Sequence, residues 1–422
     1  MSIHSPGVSR GVISAISGLI ALGAATTAQA DYSNGNFEAG DLSGWASQGH
    51  TIPSAIPTFP PTTLSHLGLG SRAPMSAVLP PGSAASTNHE LFWNSHAARI
   101  HDEQGGTGNT ASSLTQRLTV TSADLDPDGK VHVRFSAAPV LQDPGHAANQ
   151  QPYFFIELTN VTRGTSLFHS FNFANEPGVP WKTYAGNTFT DWQAFDIALD
   201  VGSDVAIGDE IELITVGAGC GQSGHAGALY LDNVRTQLAV TGTSLWITAA
   251  GPDSVCLAGG SRVTYTYTFQ NNGSDPVTDV IASLGMPATS DGMEMEFLSI
   301  GSPTFGGGSC SAPATPNGPA LCDIGSLQPG EQGTISMTVR IPSGATGVSL
   351  NNGNYVLSGM TEDLDPISQL GPLLRTDLLD DCMVLPDIPK LVPGLGQKGL
   401  LLLSGLLALL GAVAMRGRHG GL

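Results

Sequence analysis

The chain has 422 residues, with 16 Lys and Arg against 35 Asp and Glu, a formal net charge of −19. So acidic a surface repels phosphate backbones and excludes nucleic acid as a partner. The 54 glycines and 28 prolines, with few charged residues, argue against long helices and for short strands joined by turns, an all-β class. The chain opens on a basic residue, Arg10, an apolar stretch within GVISAISGLIALGAATTAQA and the small-x-small phrase Ala28-Gln29-Ala30. This is the pattern of a secretory signal peptide over residues 1–30, so the mature chain is expected to begin at Asp31. Without its two apolar ends the chain keeps roughly 350 residues, enough for about two domains.

Residues 31–240 read as one all-β domain. Leu114–Val120, Val131–Ser136, Tyr153–Leu158, Gln193–Leu199 and Ile211–Val216 alternate with period two, the mark of half-buried strands. The Pro-, Ser-, Gly- and Ala-rich stretch from Thr51 to Thr87 reads as a surface excursion outside the core. The domain opens on Asn34-Gly35-Asn36-Phe37-Glu38 and Gly40-Asp41-Leu42-Ser43-Gly44-Trp45, and closes on Tyr230-Leu231-Asp232-Asn233-Val234. Between them stand Ala97-Ala98-Arg99-Ile100 and Ser112-Ser113-Leu114-Thr115-Gln116.

These phrases resemble the galactose-binding-like jelly rolls, the β-sandwiches used by many carbohydrate-binding modules, and the resemblance spans nearly the whole domain. In a jelly roll the first and last strands lie side by side, so Glu38 and Asp232 can converge. Facing carboxylates repel unless a cation joins them, and hard oxygen donors suit Ca²⁺. The resemblance implies a structural calcium ion held by Glu38, Asp232 and backbone carbonyls; the alternative is that each carboxylate caps a turn or meets an arginine. Trp45 is expected in the core. Pyranose rings present apolar C–H faces that stack on exposed aromatic side chains, which makes Trp93, Trp181, Tyr184 and Trp192 candidate ligand-binding residues, with ordinary packing as the alternative for each.

Nine of the 11 histidines fall between His50 and His225, but no HExxH and no Cys/His metal spacing occurs. Scattered surface or loop histidines are the expectation. Gly219-Cys220-Gly221-Gln222-Ser223-Gly224-His225 holds a Cys and a His that invite a nucleophile reading, yet its glycines read as a tight loop before the last strand, with neither oxyanion hole nor third partner.

Residues 243–366 form a second β domain. Val263-Thr264-Tyr265-Thr266-Tyr267-Thr268-Phe269 alternates cleanly into the turn signal Gln270-Asn271-Asn272-Gly273-Ser274. Cys322-Asp323-Ile324-Gly325-Ser326-Leu327-Gln328-Pro329-Gly330, a strand over Thr334–Ile341 and the acidic Asp363-Leu364-Asp365-Pro366 follow. This order resembles the Ig-like repeat of bacterial surface proteins, which implies a stalk or spacer that needs no ligand. Of five cysteines in an oxidising compartment, Cys310 and Cys322 flank a Pro/Gly/Asn-rich loop and are expected to pair. Cys256 with Cys382 is a second pairing, which leaves Cys220 over.

Residues 367–391 read as a linker. From Gly399 to Met415 the chain is apolar over roughly 17 residues, enough to span a bilayer as a helix, and Arg416 and Arg418 follow at once. Just before it stands Val392-Pro393-Gly394-Leu395-Gly396-Gln397-Lys398-Gly399. This tail resembles the IPTL-CTERM sorting signal, related to PEP-CTERM, with matches at Val392, Pro393, Leu395 and Gly399; Gly394 replaces the usual threonine and Lys398 an aromatic residue. The resemblance implies an exosortase-like sorting enzyme as partner, with a plain single-pass membrane anchor as the alternative. The whole reads as a non-enzymatic protein exported to the cell envelope or surface, a jelly-roll β-sandwich followed by an Ig-like β-sandwich. The jelly-roll head is expected to bind extracellular polysaccharide, and the second function class is a structural or adhesive matrix protein with no sugar site.

Overall fold

The computed structural model describes residues 31–73, 76–79, 96–102, 109–222, 224–238, 244–257 and 260–379. The signal peptide, Trp93, Cys382, the sorting motif (Val392, Pro393, Leu395, Gly399) and the apolar tail lie outside them. Among the described residues no helix is long and apolar enough to cross a membrane. The chain is nearly all β and divides into two compact units: one of residues up to 174, 181–244 and 272–274, the other of residues 175–180, 245–271 and from 275 onward.

The first unit is a β-sandwich of two antiparallel sheets. One runs in the order β1 (Ala46–Thr51), β4 (Thr110–Thr119), β11 (Glu210–Ala218), β6 (Tyr153–Asn160), β7 (Thr165–Phe173). The other runs β10 (Gln193–Leu199), β5 (Val131–Gln142), β12 (Gly227–Arg235), β3 (Ala97–Asp102), β2 (Ala77–Leu79). A hairpin of β8 (Lys182–Tyr184) and β9 (Asn187–Phe189) joins the second sheet through β5. Period-two alternation sends Phe154, Ile156, Leu158, Ile211 and Leu213 into the core between the sheets, where they meet Val133, Phe135, Phe195 and Leu229. Phe135 and Phe195 are register partners and stack with ring centroids 4.6 Å apart.

The same alternation puts Tyr153, Phe155, Ile214 and Val216 on the outer face of the first sheet. An apolar outer face needs a cover. The stretch after Thr51 supplies it: Ile52, Ile56 and Leu67 are buried there, with Leu64 and Leu69 packed against them. The expectation of a mere surface excursion is corrected here, because this segment builds a second core. Its short 3₁₀ turn, Leu64–Leu67, places Leu67 fully inside.

The opening and closing phrases have backbone reasons for their residues. Asn34 and Phe37 adopt φ of 50° and 55°, and Asn34 secures its turn by donating from Nδ2 to the Asp41 carbonyl at 2.9 Å. Gly35 lies against the last strand so closely that a Cβ would stand 2.0 Å from the Val234 carbonyl oxygen. Its own carbonyl accepts the Val234 N–H at 2.9 Å. Phe37 is fully buried beside Trp45, which lies in the core as expected and donates from Nε1 to the Asn34 carbonyl at 3.2 Å.

The second unit is also a β-sandwich. One sheet runs β13 (Leu245–Ala250), β15 (Arg262–Asn271), β21 (Gln332–Arg340), β18 (Glu296–Ile300). A second holds β19 (Ser309–Ser311), β20 (Ala320–Leu327), β16 (Val277–Leu284), β23 (Tyr355–Met360) and β24 (Pro366–Leu370). A third, smaller sheet runs β14 (Ser254–Cys256), β25 (Leu374–Leu379), β22 (Ser349–Asn352), β17 (Ala288–Thr289), with β14 parallel to β25. Val263, Tyr265, Tyr267 and Phe269 line the core, while Thr264 and Thr338 pair outward through their hydroxyls at 2.9 Å. Gly325, at φ 87°, marks the bulge where β16 and β20 slip register. The linker expected from residue 367 is corrected over its first part, since 366–379 carries β24 and β25, both hydrogen-bonded into this unit.

Cys310 and Cys322 are joined, with Cα atoms 4.0 Å apart on directly opposed positions of β19 and β20. Cys256 is disulfide-bonded as well. Cys220 is free and fully buried.

Candidate functional site

Three of the four aromatic candidates, Trp181, Tyr184 and Trp192, lie in or next to the β8–β9 hairpin. Ala185 and Gly186 form its two-residue turn, both at positive φ (51° and 85°), the geometry that matches the strand twist. Trp181 immediately precedes β8, Tyr184 ends it, and Trp192 lies three residues past β9. Tyr184 is 51% exposed, and Trp181 and Trp192 are half-buried. Trp192 meets Tyr230 edge-on at 6.3 Å and, with Phe189, covers Ala138 and Val140 on the outer face of β5. Trp192 therefore packs and shows an edge at once, while Tyr184 offers the open ring. Beside them Lys182 and Asp191 form an exposed ion pair at 2.6 Å. The hairpin thus carries one open aromatic ring with a cation and a carboxylate nearby in sequence, groups able to stack an apolar ring face and hydrogen-bond its hydroxyls.

The two carboxylates named for calcium stand in segments that the fold places side by side, as the Gly35–Val234 hydrogen bond shows. Glu38 accepts the His96 backbone N–H through Oε1 at 2.8 Å, and its Oε2 lies 3.4 Å from His96 Nδ1. Asp232 is fully buried on β12 and accepts the Asn233 N–H through Oδ1 at 2.6 Å. Each carboxylate thus caps a backbone N–H. As hard oxygen donors they suit Ca²⁺ in kind.

The domain ends are also tied by protein groups that the sequence did not single out. Thr236, just past β12, donates its N–H to Asp31 Oδ1 at 2.9 Å and its hydroxyl to Asp124 Oδ1 at 2.9 Å, and its carbonyl accepts Arg134 Nη1–H at 2.8 Å. Arg134 is fully buried and forks between Asp196, at 3.1 Å, and Asp126. His132 joins through Nδ1, 2.5 Å from Asp196. Burial opposes charge on both partners, but the short contact reverses the outcome. The His132 pKa is raised by the Asp196 hydrogen bond and charge, and the Asp196 carboxyl is held below its ordinary range by His132 and Arg134.

In the Gly219–His225 loop Cys220 is fully buried, and its Sγ lies 3.3 Å from His225 Nδ1.

No family model matches the chain, and no curated protein matches it. Among solved structures, it is similar to the Caldicellulosiruptor saccharolyticus carbohydrate-binding module CBM27-1 in complex with mannohexaose, at 16% identity, covering 48% of this chain and 94% of that one, with a TM-score of 0.27. A glycosyl hydrolase family 2 member from Bacteroides cellulosilyticus matches at 10% identity over 78% of this chain and 37% of the other, with a TM-score of 0.18. The yeast delta-COP-I mu-homology domain matches at 12% identity over 66% and 90%, with a TM-score of 0.18. Similarities this loose carry no argument about function.

Proposed function

We propose that this is a non-enzymatic, exported surface protein whose first sandwich binds extracellular polysaccharide along the β8–β9 hairpin, with the second sandwich as spacer. The observation that carries the reading is the half-exposed Tyr184 ring on the β8–β9 hairpin, which Trp181 and Trp192 flank in sequence and where Lys182 and Asp191 form an exposed ion pair. A glycan needs little more: a flat aromatic face for its C–H groups and paired charges for its hydroxyls. Calcium belongs to the same proposal, as an ion joining Glu38 and Asp232 and so stiffening the edge where the domain begins and ends. The signal peptide and tail support export, and the tail's likeness to a sorting signal supports attachment by an exosortase-like enzyme.

The test is a glycan array probed with the purified chain. Binding to at least one polysaccharide is expected, weakened by Tyr184→Ala and by Trp181→Ala by about 0.5–1.5 kcal/mol each, roughly two- to tenfold in Kd. No bound glycan, or binding that both substitutions leave unchanged, would remove the hairpin as a sugar site and favour the structural or adhesive reading.

A further inference from the structure

The buried thiol of the Gly219–His225 loop has a third neighbour from a distant part of the chain. His146 stands in the loop after β5, and its imidazole meets that of His225 edge-on, with centroids 5.3 Å apart. One ligand atom from each of His146, Cys220 and His225 falls within 4.8 Å of the other two. Among the described residues this is the group of three such side chains that converges in this way. The cluster lies in the first unit, away from the β8–β9 hairpin in sequence, and uses none of the residues assigned to sugar or calcium.

Two further observations point to a ligand. His146 Nε2 is buried with no hydrogen-bond partner, although a ring nitrogen withdrawn from water should find one. In addition, these loops are held by hydrogen bonds that do not use the three side chains. The Cys220 N–H donates to the His225 carbonyl at 3.0 Å, the Asn109 N–H to the Cys220 carbonyl at 3.0 Å, and the Gly221 N–H to the Gln150 carbonyl at 3.1 Å. The Ala226 N–H donates to Gln142 Oε1 at 2.8 Å, and the Gly145 N–H to Asp143 Oδ1 at 3.0 Å. Gly221 fits so tightly that a Cβ would lie 2.5 Å from the Ser54 carbonyl oxygen. The side chains therefore converge on a preformed framework, the condition a metal site needs.

We propose that His146, Cys220 and His225 bind one transition-metal ion of the Zn²⁺ class through two imidazole nitrogens and a thiolate. The donor set decides the class. Ca²⁺ and Mg²⁺ take oxygen ligands, whereas a thiolate with imidazoles suits zinc and its borderline neighbours. On binding, the Cys220 S–H bond is exchanged for a sulfur–metal bond and its proton passes to solvent. The 3.3 Å between Cys220 Sγ and His225 Nδ1 is the spacing of an S–H···N hydrogen bond, and it is also close enough for one ion to replace that proton between them. Three protein ligands leave a fourth position for water or an added ligand.

Cobalt(II) is the probe, because a cysteine thiolate bound to it gives a charge-transfer band in the near ultraviolet. The full chain, purified in detergent without a metal-binding tag and stripped with chelator, is titrated with Co²⁺ and then with Zn²⁺. The expected result is a thiolate–cobalt band that saturates at one ion per chain and is displaced by zinc. Cys220→Ser should abolish the band, and His146→Ala should weaken cobalt binding at least tenfold. Far-ultraviolet circular dichroism and a melt in chelator show whether each variant still folds. His146 is only partly buried, so its variant keeps the test alive should the Cys220 change disturb the loop. Absence of the band in the wild-type chain would overturn the proposal and leave a buried Cys–His hydrogen bond. A band of unchanged strength and affinity in His146→Ala would overturn it too. Neither outcome depends on whether the chain binds a glycan.

Discussion

Replacing Arg134 by alanine removes a guanidinium that satisfies two carboxylates and a carbonyl at once. Asp126 and Asp196 are only 9% and 10% exposed at their side chains, so neither can turn to water when the cation goes. Breaking a buried pair from one side costs about 3–5 kcal/mol. For a domain of roughly 200 residues, at about 2–4 °C per kcal/mol, the first unit should melt about 6–20 °C lower at neutral pH. The pH profile follows from the two titrating neighbours. Asp196 has a depressed pKa in the folded chain, so its contribution is present above the unfolded value of about 3.9 and fades as pH falls through the folded value. The gap between wild type and variant should therefore narrow at acid pH, as Asp196 protonates. His132 runs the other way: its raised pKa adds stability below about 6.5 that is lost as pH climbs through the folded value. Arg134 lowers that pKa by repulsion, so His132 should titrate higher in the variant than in the wild type. Thermal melts followed by circular dichroism, with imidazole resonances read by NMR, measure both effects. A loss under about 3 °C, or an unmoved His132 titration, would refute the reasoning.

For calcium, the first unit is expected to melt higher with the ion than with chelator, because the ion binds the folded and not the open chain, and Asp232→Ala should abolish the difference. Equal wild-type melts in both conditions would leave Glu38 and Asp232 as caps of backbone N–H groups. Replacing both Cys310 and Cys322 by alanine should cost the second unit about 3 kcal/mol, given a sequence separation of 12, and leave the first unit's melt in place. Gly35→Ala should prevent the first unit from folding stably, since its Cβ would overlap the Val234 carbonyl oxygen. Gly301→Ala, with its nearest atom 3.8 Å away, serves as the tolerated control.

Much of the fold could be read in the sequence because local rules and tertiary packing agree there. The run from Val263 to Phe269 alternates as β15 does, and the Asn34–Glu38 phrase carries the residues its left-handed turns and close strand contact demand. Legibility fails where a segment's role is set by what it covers. Residues after Thr51 look like loop, since their apolar members are spaced irregularly among prolines, and only the exposed outer face of β6 and β11 gives them work. The strands β24 and β25 were hidden for a different reason. Each is short, Pro366 begins the first, and Gly371 and Pro372 separate them, so punctuation outweighs a brief alternation. Proline at the first position of a strand is compatible with pairing, which is why the structure could use a stretch that reads as linker.

The candidate sites divide along the same line. That Trp181, Tyr184 and Trp192 lie near one another in the chain could be read from sequence, because all three fall within one short stretch that contains the hairpin. What the sequence could not supply was the division of labour, with Trp192 turned partly inward onto Tyr230 and Tyr184 left open. The His146–Cys220–His225 cluster lies beyond spacing rules altogether. Cys220 and His225 are near in sequence, but His146 reaches them only because β5 and β12 pair in register and bring the loop after one strand to the loop before the other. A ligand set divided between such loops has no motif to find. Its signal in the chain is the cysteine without a disulfide, and in the fold it is a histidine nitrogen buried with nothing to bond. Cys310, Cys322 and Cys256 are disulfide-bonded while Cys220 stays a free, buried thiol, and coordination by two imidazoles gives that thiol a chemical reason that a simple hydrophobic contact does not.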